Sequence, residues 1–326
     1  MNAVDHNNVV IFDDRGIPSI MCRFVRPKDT EEVPAVFKIG DKVADAIYIS
    51  KYPNIVIDGR AYSMPMADPT VNITFDEAVQ ACRCKGLGWH LMTAVEYEYL
   101  LNQSREKGTM PHGNTDGGKD YYHNEEQGKV SNLGRTYTGT GPVTWNHDHT
   151  PYGVSDLNGN VWEWLAGLRI KDGVIEFIPG NKAASPYCDL SKDSTEWQQA
   201  ETSKGPVRAN VECGEITITD AVAADDYEPN YDGVRIEELE VKLSEIPQVL
   251  KDLGIIPDKR AEEEGKTYVY FDATEGEYLP VRGSAFSVTS HSGPSALSLD
   301  NPRSSSDGGI GFRSAFYEVN GKLITE

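Results

Sequence analysis

The stretch from Val281 to Ala315 limits most narrowly what this chain can fold into, because it interleaves two kinds of position. A sparse frame of Arg282, Gly283, Gly293, Ala296, Leu297, Leu299, Arg303, Ile310, Gly311, Phe312 and Arg313 carries apolar anchors, turn glycines and arginines. Between them sit Ser, Thr, Asp, His, Asn and Gly, groups with few rotatable bonds. In Leu297-Ser-Leu-Asp300 the period is two, which sends the leucines to one side and Ser298 and Asp300 to the other. Ile310, Phe312, Ser314 and Phe316 share a face in the same way, with Arg313 opposite. A buried scaffold of this kind presents a row of short polar side chains outward, the composition of a paratope. A serine-rich loop between two strands is the plainer reading of the same residues.

The 326 residues, 39% hydrophobic and 25% charged, suit a globular chain with a substantial core. A formal net charge of −20 repels a phosphate backbone, so nucleic acid is not an expected partner. Apolar runs fall short of a membrane span, so no membrane insertion is expected. The first residues lack the basic and apolar regions of a secretory signal. Five cysteines (Cys22, Cys82, Cys84, Cys188, Cys213) are an odd number, which argues against a disulfide framework and fits synthesis in a reducing cytosol. Cys82 falls on the apolar face of a helix with Ala78 and Val79 and reads as a packed small hydrophobe.

Along the chain, short strands are predicted at 8–12, 36–39, 46–50 and 54–57. Thr74 with Glu77, and Thr93 with Glu96, form capping boxes that open helices over 75–85 and 94–103. Residues 107–150 form a long polar loop. Tyr152 to Trp164 turns tightly at Asn158-Gly159 and brings Trp162 and Trp164 into a core. Strands flank a turn at Lys171-Asp-Gly173. Ile236 to Leu253 has helical spacing interrupted by Pro247. Tyr268 to Phe271 is a strand leading into the terminal segment.

Gly153-x-x-Asp156-x-x-Gly159-Asn-Val-Trp-Glu-Trp164, with Gly311-Phe-Arg313, resembles the formylglycine-generating-enzyme/sulfatase-modifying-factor branch of the C-type lectin fold. More narrowly, Gly88-Trp-His-Leu-Met-Thr93, Gly139-Thr-Gly-Pro-Val-Thr-Trp145, Asp156 to Trp164 and the terminal frame resemble variable proteins of diversity-generating retroelements. That resemblance implies an α+β C-type lectin fold over 36–326, two helices, a mostly antiparallel sheet, and a β-rich appendage or display element at 1–35. In that family, mutagenic reverse transcription rewrites adenine-containing codons, many for Asn, in a C-terminal segment, and the protein serves as a selectable, non-catalytic receptor. The family's Asn-rich slots fall on Ser287, Val288, His291, Ser298, Asp300, Asn301, Ser305, Asp307 and Gly309, with Phe286, Ser290 and Ser295 as neighbours on the same surface. Only Asn301 remains Asn, and Ser, Asp, His, Val and Gly are the products of changing adenines in an Asn codon. Ser284 and Phe286 depart from the Gly and Trp usual in the family frame.

The resemblance implies a macromolecular, protein partner on a host or cell surface. It also implies display on a virion or cell surface after cytoplasmic synthesis, as a homo-oligomer or attached to the virion. The oxidase chemistry of the formylglycine-generating relatives needs paired cysteines here, and residues 281–326 contain none. Glu228-Pro-Asn230 resembles the sugar-binding triplet of calcium-dependent lectins, but the ligand set that should follow is missing. A structural calcium site at Asn158, Asn160 and Glu163 competes with a turn in which the amides hydrogen-bond internally and Glu163 pairs with an arginine. The second is preferred, so no metal or cofactor is expected. His147-Asp-His149 reads as a solvated turn. Trp162, Glu163, Trp164, Arg282, Arg303 and Arg313 are expected to be structural, the arginines tying carbonyls across irregular loops.

Overall fold

In the computed structural model, residues 7–28, 30–224 and 226–323 are described; the reading of the extreme N-terminus lies outside them. Two helices open on the boxes written in the sequence. Thr74 and Glu77 cap α1 (Phe75–Arg83), and Thr93 and Glu96 cap α2 (Ala94–Lys107), which ends at left-handed Gly108. Each box satisfies two otherwise orphaned backbone donors, which fixes where the helix begins.

Two sheets flank these helices. The first runs in the order Asn8–Phe12, Pro18–Val25, Ala46–Ser50, Ser314–Val319, Lys322–Leu323, with His90–Leu91 joined to the 314–319 strand. Within 1–35, expected as a β-rich appendage or display element, the described strands Asn8–Phe12 and Pro18–Val25 belong to this sheet. Pro18–Val25 is zipped to Ala46–Ser50, and Met21, Cys22 and Phe24 are buried. Ordering that edge against Ala46–Ser50 removes apolar surface from water.

The second sheet runs Tyr231–Arg235, Tyr268–Asp272, Leu297–Pro302, Glu277–Arg282, Leu168–Lys171, Val174–Phe177, Arg208–Glu212, Glu215–Thr219, Glu240–Lys242, with Trp162–Trp164 and Ile310–Phe312 attached beside Glu277–Arg282. Most pairs are antiparallel, and Tyr268–Asp272 runs parallel to Leu297–Pro302. Between the sheets a large core joins Phe37, Ile47, Ile49, Tyr97, Leu100, Leu168, Phe271, Leu297 and Leu299. A second, around Trp164, Phe75 and Phe312, seals α1.

The helix expected over 236–253 does not form. Ile236–Glu238 is a single 3-10 turn, Glu240–Lys242 a strand, and only Gln248–Asp252 (α3) is helical, starting directly after Pro247. Proline lacks the donor an upstream helix would need, and the parallel ladder with Glu215–Thr219 takes the preceding residues. Residues 107–150 are an ordered loop. The Asp120 carboxylate caps it locally, accepting from Gly113 N at 3.0 Å and from Tyr122 N and His123 N at 2.8 Å.

Candidate ligand-binding surface

The terminal segment leaves the sheet at Arg282 and is tied down largely through its backbone. Gly283 N donates to Ala296 O at 3.1 Å, and Gly159 N donates to Gly283 O at 2.6 Å. Gly117 N donates to Phe286 O at 2.8 Å, and Thr289 N donates to Thr115 O at 3.0 Å. Tyr122 Oη reaches Ser290 O at 2.9 Å. Bonds of this kind do not depend on which side chain each residue carries. A Cβ at Gly283 would lie 2.5 Å from Leu157 O, so the frame glycine is required there. The neighbouring Ser284 adopts φ 66°, which explains why a glycine suits that position in the resembling family.

The frame arginines are held through their side chains, Arg282 and Arg313 buried and Arg303 half-buried. Arg313 is buried; Nε donates to Glu163 Oε2 at 2.6 Å, Nη1 to Ser50 O at 2.9 Å and Nη2 to Ser155 O at 3.0 Å. It thus joins the last strand, the first sheet and the 152–164 turn. Both of its strand neighbours, Phe312 and Ser314, are buried as well, so the expected division into an inner and an outer face fails here. Arg282 donates to Glu98 Oε2 at 3.1 Å and to Ser295 O at 3.3 Å, with its guanidinium 5.0 Å from the Tyr97 ring centroid. Arg303 holds Glu277 at 2.8 and 2.9 Å and Asp76 at 2.7 Å, and donates to Leu190 O at 3.0 Å. Trp164 is buried, and its indole donates to Ile73 O at 2.9 Å; Trp162 is half-buried beside it.

Of the twelve residues expected on the outer surface, Ser287, His291 and Asp307 are exposed, and Phe286, Val288, Ser290, Asp300, Asn301 and Ser305 are half-buried. Ser298 and Gly309, expected on the same surface, are instead buried. Ser295 is a correction. It is 1% exposed and bonds to Glu264 within a buried cluster of Glu264, Arg105 and Glu98. Its hydroxyl is held between the Glu264 carboxylate and the Arg105 guanidinium. Asp300 accepts from Ser298 Oγ and, at 2.9 Å, from Asn301 Nδ2; burial holds its carboxyl above the usual range. The Phe286 ring packs on Gly134, where an added Cβ would approach it to 3.1 Å.

The strand Tyr268–Asp272 supplies surface residues that the sequence reading missed. Val269 and Phe271 face the core, so Tyr268 and Tyr270 face outward beside Ser298. The Tyr268 ring stacks on His291 with centroids 3.8 Å apart and planes 15° from parallel. The alternation Tyr-Val-Tyr-Phe was the available signal. Next to this surface lies a cleft of about 220 Å³ lined by Met110, Pro111, His112, His123, Tyr122 and Pro294. Its His112 and His123 rings stack 3.8 Å apart, and His112 Nδ1 sits 3.0 Å from Glu126.

The alternative sites fare differently. Asn158 donates to Pro111 O and accepts from Ser284 Oγ, while Asn160 bridges Thr136 N, Thr136 O and Asn114 Nδ2. With Glu163 taken by Arg313, these oxygens serve the turn itself. Glu228, Pro229 and Asn230 are exposed, and no cluster of three metal-ligating side chains occurs among the described residues. His147 is not solvated. It is buried against Phe24, accepts from Val154 N at 2.9 Å through Nδ1, and is pushed down to about 4 by burial. Asp156, in left-handed backbone at φ 60°, is pushed up to about 6 by burial.

With this geometry goes a class of fold. Residues 51–207 match the family model described as Sulfatase-modifying factor enzyme 1-like domain, and the α+β architecture fits a C-type lectin-like fold. The curated Formylglycine-generating enzyme of Mus musculus is 36% identical over 105 residues, 30% of this chain and 27% of that protein. Among solved structures, the chain is similar to the Major Tropism Determinant I1 variant (12% identity, TM-score 0.33, 84% of this chain and 50% of that one). It is likewise similar to the P3c variant (13%, 0.33, 96% and 61%). The chain thus spans about a quarter of the curated relative and half to three fifths of the solved chains.

Proposed function

We propose that this protein is a non-catalytic receptor whose terminal segment is varied by a diversity-generating retroelement to bind a macromolecular, protein ligand on a host or cell surface. The observation that carries the reading is the separation of roles. The segment is fastened by backbone bonds and buried arginines, while Ser287, His291, Asp300, Asn301 and Asp307 point their side chains away from the core or lie at its margin. Ligand affinity comes from shape and short polar groups, with Phe286 as an aromatic anchor, and display on a virion or cell envelope multiplies weak contacts. Oxidation of a sulfatase cysteine is not part of the reading, because residues 281–326 carry no thiol to hold copper or meet a substrate.

The test is genetic. Downstream of the coding sequence there should be a near-copy of the segment encoding 281–315, differing almost only at adenines, beside a reverse-transcriptase gene. A locus without such a copy, uniform across isolates, overturns the reading.

A further inference from the structure

The outward face of the sheet beside the interchangeable residues has a composition of its own. Tyr231 pairs with Asp272, Gly233 with Tyr270, and Arg235 with Tyr268; Tyr270 in turn lies in register with Ser298. Directly paired residues project to the same side, so Tyr231, Tyr268, Tyr270 and Asp272 share one surface with Ser298 and Asp300. Two of the rings are held in place. Tyr270 covers Gly233 so closely that a Cβ there would lie 2.3 Å from the ring. Tyr268 is stacked on His291, and its centroid is 5.9 Å from that of Tyr270. A pinned aromatic loses little conformational freedom on binding, which makes it an effective contact residue.

The charges on this face are mostly of one sign. Asp272 accepts from Thr274 N and Oγ1 through Oδ1 and lies beside the Tyr278 hydroxyl, and Asp300 accepts from Ser298 and Asn301 through Oδ1. Arg235 is a cation on the same face, paired with Tyr268 at that end of the platform, and its guanidinium is 3.8 Å from Glu237. The whole chain carries −20. Tyrosine faces flanked by carboxylates attract guanidinium and ammonium groups, which stack on the ring and bond to the acid together.

We infer that Tyr231, Tyr268, Tyr270, Asp272 and Asp300 form a binding platform for a basic segment of a protein partner, continuous with the interchangeable surface. The inference rests on the receptor reading and adds the chemistry of the partner. The rings and Asp272 lie outside the 281–315 segment and are common to every diversified copy, while Asp300 and the His291 ring stacked on Tyr268 are interchangeable and tune the affinity.

The probe is a seven-residue Arg/Gly peptide amide, titrated into the isotope-labelled full chain and followed by amide chemical shifts, with a Glu/Gly peptide as control. Shifts are expected at 231–235, 268–272 and 298–301, with none from the acidic peptide. Replacing Tyr268 and Tyr270 together by Ala should weaken binding about tenfold or more, while Tyr187→Ala, exposed elsewhere, leaves it unchanged. If the double Ala variant unfolds, Asp272→Asn with Asp300→Asn should give the same loss. Absence of binding, or shifts centred on the acidic runs 237–240 or 262–264, overturns the inference. So does unaltered affinity in the folded variants. None of these outcomes touches the genetic test of the receptor reading, so the two fail separately.

Discussion

Arg313 and Thr289 belong to one terminal segment and are fixed by opposite means. Arg313 is held by its side chain, through Glu163 and the carbonyls of Ser50 and Ser155, with no exposure to solvent. Thr289 is held by its backbone amide on Thr115 O, in left-handed backbone at φ 57°, flanked by the half-buried Val288 and Ser290. The first kind of position tolerates almost no substitution, because a lost partner strands a buried charge. The second is set by a bond that belongs to every residue except proline, with the left-handed backbone as the remaining constraint on what stands there. A segment built from both can change its outward chemistry without changing its path.

The difference can be broken most forcefully at Arg313. Arg313→Met leaves Glu163 buried without its counter-charge and should cost about 3–5 kcal/mol, read as a fall in the denaturant midpoint. An unchanged midpoint would remove the frame from the account.

Behind the 152–164 turn, the titration of two buried groups gives the next largest effect. The folded Asp156 carboxyl is raised from 3.8 to about 6, so the folded state binds the extra proton and stability falls as pH rises through that window. Keeping it ionised at neutral pH costs about 3 kcal/mol. His147 acts in the reverse sense. Its folded value is depressed from 6.5 to about 4, so stability is lost as pH falls between those values. The two largely offset each other in the native chain. Asp156→Asn should raise stability at pH 7 and uncover a steep loss between pH 6.5 and 4, visible in denaturant melts across pH. A flat profile in that variant would contradict the assignment.

Ser295 sharpens the boundary between the two kinds of position. It lies among the interchangeable residues in sequence, yet its hydroxyl serves the Glu264 and Arg105 cluster. Ser295→Ala should cost roughly 1–3 kcal/mol in thermal or chemical unfolding, like a frame residue. Arg303→Met should fall at the lower end of that range, because Glu277 keeps Arg169 at 2.7 Å and the Asp76 partner is exposed. A loss at Arg303 matching that at Arg313 would show that exposure does not grade these clamps.

How much of this was legible from the residues varies with the reach of the interaction. Both capping boxes are local, three residues apart, and the sequence marks each helix start. The two-residue period of Leu297 to Asp300 places both leucines in the core, but Ser298 is buried too, because the neighbouring strand and its Tyr270 cover the other face there. Ser295 was misassigned because its partners, Arg105 and Glu264, are remote in sequence, and nothing near a serine announces a distant carboxylate. The 236–253 stretch misled for a related reason: its apolar spacing satisfies a helix, but a parallel strand partner and Pro247 decide otherwise. The tyrosine platform left a readable trace in Tyr-Val-Tyr-Phe, while its neighbour Tyr231 became part of it only through strand pairing.

The central claim is that the frame alone determines the path of the terminal segment. Its most direct test is a single variant carrying Ser287→Asn, His291→Ser, Asn301→Ser, Ser305→Asn and Asp307→Ser together, compared with the native chain by chemical unfolding and amide hydrogen exchange. Each change is expected to stay within about 0.5 kcal/mol, and protection at 297–302 and 310–319 should be retained. A loss of more than about 3 kcal/mol, or exchange opening across those strands, would contradict the account.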